Sequence, residues 1–253
     1  MQAVLYVGHG SRRKEAVEES IQFMREAMKT VVVPIQEYCF LELSNPDIMR
    51  GVKQCVLRGA TRIAVIPLLL LSASHAKKDI PQVLERASRV YPEVTFTYGG
   101  PLGVHRMMVD VLVDKIKEKK KITGDMDILL VGRGSSDRNA VRDIQMIARL
   151  LDERLNVRSI ECCFLAAATP HFETKAKDFV DNGPANLLII PYLLFIGTLV
   201  THIKEFVNDL QLRNDQQVVL CDYLRGHPNL FRLLSVRVDE AVKSERYFLN
   251  HIG

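Results

Sequence analysis

The sequence predicts an α/β protein built from two tandem, similar, doubly wound domains, each with a parallel sheet of about four strands in a flavodoxin-like topology. Three observations predict it. Short β-branched runs alternate with longer amphipathic stretches. The pattern Val4–Ser11 (VLYVGHGS) returns 124 positions later as Ile128–Ser135 (ILLVGRGS). A glycine turn follows the first apolar run in both copies.

In the first half the apolar runs mark strands near 3 to 7, 35 to 41, 62 to 67 and 94 to 98. Between and after them, helical periodicity covers 13 to 29, 46 to 58, 76 to 90 and 104 to 118. Pro46 and Asp47 suit the start of the second helix. Strand, helix and strand in succession form βαβ units, whose right-handed crossovers give a parallel sheet covered on both faces.

The same offset aligns Cys39–Pro46 (CFLELSNP) with Cys163–Pro170 (CFLAAATP), and Ile66-Pro67 with Ile190-Pro191. Between the halves lies Lys115–Gly124 (KIKEKKKITG), a charged run ending in glycine that suits a helix end and a junction. The expected division is therefore 1–120 and 121–253. The helices near 104–118 and 230–248 are the elements that an exchange of packing across this cut would involve.

Composition narrows the function classes. With 47% hydrophobic and 25% charged residues the chain is ordinary and globular. Five cysteines without a CxxC argue against a disulfide framework and a thiolate zinc site, and read as buried thiols. A net charge of +4, without aromatic and basic residues interleaved, does not suggest nucleic acid. Leu187–Val200 is interrupted by Pro191 and Gly197 and is too short for a bilayer core of ~30 Å. No basic segment precedes the first apolar run, so a cytoplasmic protein is expected.

In open parallel sheets ligands bind beyond the carboxyl ends of the strands. After the first strand comes His9, after the second Glu42, and after the third His75. A sheet order of 2-1-3-4 sets these strands side by side, ~4.8 Å apart, so the three side chains can converge. Each residue alone has a plainer reading: His9 in a backbone-packing turn, Glu42 as a carboxylate near a helix start, His75 at the beginning of a helix. The repeat supplies a control, because His9 corresponds to Arg133 and Glu42 to Ala166. His202 matches His75 only if three residues are inserted, and is read as an ambiguous relic rather than a catalytic group. Two imidazoles and a carboxylate suit Fe2+, Co2+, Ni2+ or Zn2+, and a neutral imidazole also accepts protons near pH 7.

Taken together, the GHGS turn with His9, the Phe40-Leu-Glu42 and Asn45-Pro46 elements, and Ser74-His75 followed by Asp79-Ile-Pro81 resemble the sirohydrochlorin ferrochelatases and their cobalt-inserting relatives, of the class II tetrapyrrole chelatases. The resemblance spans essentially the whole chain. It implies a chelatase-like fold, a monomer whose two halves face a cleft, and a metal site of His9, His75 and Glu42 in the first half. It further implies insertion of Fe2+ into sirohydrochlorin, with the metal as substrate, no permanently bound cofactor and no nucleotide. Co2+ or Ni2+ insertion is the alternative. A planar ring edged with carboxylates needs apolar walls and cations. Leu68–Leu71 and Leu193–Ile196 are candidates for the walls. Ser11, Arg12 and Arg133 are candidate ring contacts, with Arg13, Lys77, Lys78 and Arg138 as further cations. A metal carrier using the same cluster, or a phosphate module using the glycine turn, are the readings from other classes.

Overall fold

The computed structural model describes residues 1–72 and 75–244, with His75 described through its backbone only. The expected helix residues 245–248 lie outside the described residues. The first repeat runs β1 (Gln2–Gly8), α1 (Lys14–Lys29), β2 (Ile35–Phe40), α2 (Ile48–Leu57), β3 (Arg62–Pro67), a π-helical turn (His75–Asp79) continuing into α3 (Ile80–Val90), β4 (Thr95–Tyr98) and α4 (Arg106–Lys119). The second runs β5 (Met126–Gly132), α5 (Arg138–Asp152), β6 (Ser159–Phe164), α6 (Phe172–Asn182), β7 (Asn186–Tyr192), α7 (Thr198–Asn208), β8 (Gln217–Leu220) and α8 (Pro228–Lys243). Each expected element of the first half is present.

The sheets are four-stranded, parallel, and ordered β2-β1-β3-β4 and β6-β5-β7-β8. This is the 2-1-3-4 order on which the convergence of strand ends rests. Successive side chains of β1 point to opposite faces, and both faces are dry. Ala3, Leu5 and Val7 join Ile63, Val65, Val52 and Leu84 in one core cluster, while Val4 and Tyr6 are equally buried. Asp47 and Asp137 cap α2 and α5 by accepting from the Arg50 and Asn139 amides, which explains why those helices start where they do.

Compactness divides the chain differently from the duplication. One unit is Met1–Gly103 with the chain from Leu230 on; the other is Val104–Asn229. The difference from a cut at 120/121 lies in two helices. Within the second unit, α4 buries Met108, Val109, Leu112 and Ile116 and packs on α5 and β7. Within the first, α8 stacks Phe231 on Phe23 of α1 at 4.7 Å between ring centroids. Its Arg237 donates to the carbonyls of Pro101 and Leu102 at 2.9 and 2.8 Å. Among the described residues no helix is long and apolar enough to cross a membrane.

Candidate metal site

The site begins with a backbone device that both repeats keep. The parallel ladder of β1 and β2 continues past the strands: the Leu41 amide donates to the Gly8 carbonyl at 2.8 Å and the Glu42 amide to the His9 carbonyl at 3.1 Å. The second repeat copies it with Leu165 to Gly132 and Ala166 to Arg133, at 3.0 and 2.9 Å. Such a close approach excludes a side chain on the following residue. A Cβ on Gly10 would lie 1.8 Å from the Glu42 carbonyl oxygen, and one on Gly134 1.7 Å from that of Ala166. Both glycines have φ near +90° (92° and 87°), where only glycine sits without strain. The outer loops match as well, with Leu43 and Ala167 at positive φ and cis bonds before Pro46 and Pro170.

On this shared scaffold only the first repeat carries an imidazole and a carboxylate together. His9 Nε2 and Glu42 Oε1 are 3.6 Å apart, with both side chains partly exposed. The gap is too long for a hydrogen bond. It suits an ion ~2.1 Å from each atom, subtending roughly 120°. The other ring nitrogen, Nδ1, is 3.2 Å from the Gly10 carbonyl. A carbonyl can only accept, so Nδ1 carries the proton and the lone pair of the neutral ring stays on Nε2, facing Glu42.

The third expected ligand, His75, opens the turn after β3, next to β1 in the sheet. Its side chain lies outside the described residues. Among the described residues no group of three metal-binding side chains is assembled.

The other expected contacts are placed as follows. Ser11 builds the turn: its amide donates to Ser44 Oγ, and its hydroxyl oxygen accepts from the Arg13 amide at 3.1 Å. Ser135 does the same for Asp137. Arg12 and Arg133 are exposed at the ends of β1 and β5. Of the apolar stretches, Leu68, Leu193 and Leu194 are core, whereas Leu69–Leu71, Phe195 and Ile196 are half-buried.

His202, the ambiguous residue, is engaged elsewhere. Its Nε2 is 2.6 Å from Glu173 Oε1, and its ring leans on Phe206. Sequence reading missed Glu173, whose counterpart in the first repeat is Met49. Burial would raise the Glu173 carboxyl, but the His202 hydrogen bond, a backbone hydrogen bond and the nearby His202 and His171 charges outweigh it and hold it below its ordinary value. Its contribution to stability is full above the ordinary carboxylate range and is lost as pH falls through the lowered value. His202→Ala is expected to remove that contribution, less than about 1 kcal/mol for so exposed a pair. Metal insertion, the activity that the resemblance implies, should stay within about twofold of the parent, because Nε2 is occupied in a surface cross-link between α6 and α7. Rates and melts at pH 7 and pH 4 check both statements.

Two repeated parallel sheets with a histidine and carboxylate at one matched strand end define a duplicated α/β protein of the chelatase type. The chain belongs to the CbiX family, whose model matches it twice, over residues 3–119 and 127–241. It is 42% identical over 246 residues to a sirohydrochlorin ferrochelatase of Priestia megaterium, covering 97% of this chain and 92% of the relative. It is 33% identical to a sirohydrochlorin cobaltochelatase of the same organism, covering 97% and 81%. Among solved structures it is similar to SirB from Bacillus subtilis with Fe3+, at a TM-score of 0.87, 40% identity and 96% coverage of each chain.

Proposed function

We propose that the protein is a metal chelatase that inserts Fe2+ into sirohydrochlorin, giving sirohaem and two protons. The observation that carries this reading is the His9–Glu42 pair, 3.6 Å apart on a scaffold whose second copy holds Arg133 and Ala166 instead. Support for the substrates comes from the relatives: the ferrochelatase similarity, at 42%, exceeds the cobaltochelatase similarity, at 33%. Co2+ insertion is the second reading, carried by that weaker likeness.

In this reading the first repeat, residues 1–120, holds the incoming ion through His9 Nε2, Glu42 and His75. The macrocycle must lose two inner N–H protons as the metal loses water. A neutral imidazole is a competent acceptor once it releases the ion. Arg12, exposed beyond the end of β1, meets ring carboxylates. Ser11, whose oxygen already accepts from Arg13, keeps its O–H to donate to one of them. Irving–Williams affinities favour Co2+ and Ni2+ over Fe2+ at such a nitrogen and oxygen site, so metal supply takes part in the choice.

The test is an anaerobic insertion assay with sirohydrochlorin and Fe2+, Co2+ or Ni2+, singly and in competition, followed by the absorbance of the ring. Acceleration over the uncatalysed rate is expected, with Fe2+ accepted. A chain that binds metal yet leaves the ring spectrum at the uncatalysed rate would be a metal carrier, and one saturated by nucleotides and indifferent to His75→Ala a phosphate module.

A further inference from the structure

The π turn that begins at His75 is held from outside by a residue of the neighbouring strand. Tyr98 is the last residue of β4, level with Val65 of β3, and its ring packs against the first unit's core. Its hydroxyl donates to the carbonyl of Ala76 at 2.8 Å across 22 residues of sequence. Ala76 is 5% exposed.

Local chemistry explains why this carbonyl needs a side-chain donor. In a π turn the carbonyl of residue i accepts from the amide of i+5. For Ala76 that residue is Pro81, which has no N–H. The i+5 position therefore offers no backbone donor, and the Tyr98 hydroxyl supplies one. The phenol is suited to it, since burial pushes its pKa up and keeps the proton in place.

We infer that Tyr98 is a positioning residue for the metal site: by binding the Ala76 carbonyl it fixes the turn whose first residue is His75. The inference rests on the reading of His75 as a metal-holding group. Tyr98 touches neither ion nor macrocycle in this role; it acts through the backbone next to the ligand, as outer partners of metal ligands do.

The experiment is an anaerobic Co2+ titration, read by visible absorption, of the full-length protein and its Tyr98→Phe, His75→Ala and doubly substituted forms, with insertion kinetics on each. Tyr98→Phe keeps the ring packing and deletes the donor. It should weaken Co2+ binding roughly tenfold and lower kcat to a similar extent, with KM for sirohydrochlorin within about twofold. In the His75→Ala background the same change should have little further effect on Co2+ affinity. A Tyr98→Phe protein that melts earlier but binds Co2+ and turns over like the parent overturns the inference. So does a loss of affinity that persists undiminished without His75. If His75→Ala itself leaves Co2+ affinity and insertion unchanged, the reading of His75 fails and takes this inference with it, whereas a silent Tyr98→Phe beside a damaged His75→Ala defeats the inference alone.

Discussion

Replacing His9 by alanine is expected to lower metal insertion by at least about a hundredfold while leaving the fold intact. The lost atom is Nε2, the ring nitrogen that faces Glu42, since Nδ1 is turned to the Gly10 carbonyl. Glu42 is then left half-exposed and without the nitrogen 3.6 Å away, and of the three proposed ligands only a carboxylate and His75 remain for a borderline ion. The fold should survive because the second repeat already shows the same turn carrying a different side chain: Arg133 replaces His9, and the Ala166-to-Arg133 backbone bond is kept at 2.9 Å. His75→Ala should act in the same direction. Anaerobic insertion rates, paired with circular-dichroism melts, make the check. More than half the parental rate in His9→Ala would remove the imidazole from the mechanism.

Gly10→Ala should do more harm than any change of side chain nearby. The new methyl would sit 1.8 Å from the Glu42 carbonyl oxygen, a backbone atom that cannot rotate away, and φ of +92° is itself unfavourable for alanine. Left-handed strain of about 1–2 kcal/mol and overpacking of about 1–3 kcal/mol predict a loss of several kcal/mol. Gly134→Ala meets the same obstruction at Ala166 and should destabilise comparably. The two should separate in function. Below their midpoints, Gly10→Ala should have lost Co2+ affinity because relief of the clash displaces Glu42 from His9, whereas folded Gly134→Ala should bind Co2+ like the parent. Equal metal affinity in the two variants would show that the Gly10 turn does not set the His9–Glu42 geometry.

Much of this arrangement was legible before any coordinates. A parallel sheet buried on both faces needs continuous apolar strands, and Val4–Val7 and Ile63–Ile66 supply them. Crossover handedness then leaves few orders for four strands, and the order found sets the ends of β1, β2 and β3 side by side. The offset of 124 residues separated scaffold from chemistry: Gly10, Ser11 and Pro46 recur or are matched in kind, while His9 and Glu42 do not recur. Ser11 reads as a ring contact, and only the structure adds that its amide and its oxygen also hold the turn, which leaves the O–H for that contact. Leu68 and Leu193 are candidates for a cleft wall with ordinary core as the plainer reading, and their burial agrees with the latter. An apolar side chain at a strand end satisfies both readings equally, and only burial separates them.

The sequence by itself determined the strand and helix order, the duplication and the residue types offered at each strand end, because these follow from periodicity and backbone sterics, which are local. The tertiary structure decided which unit each terminal helix covers, since an amphipathic stripe on α4 or α8 requires an apolar partner without naming one. It also decided that His202 closes on Glu173 and that Tyr98 reaches Ala76. Those contacts join residues 29 and 22 positions apart through side-chain hydrogen bonds. Direction and distance of this kind exist only once the strands have been laid side by side.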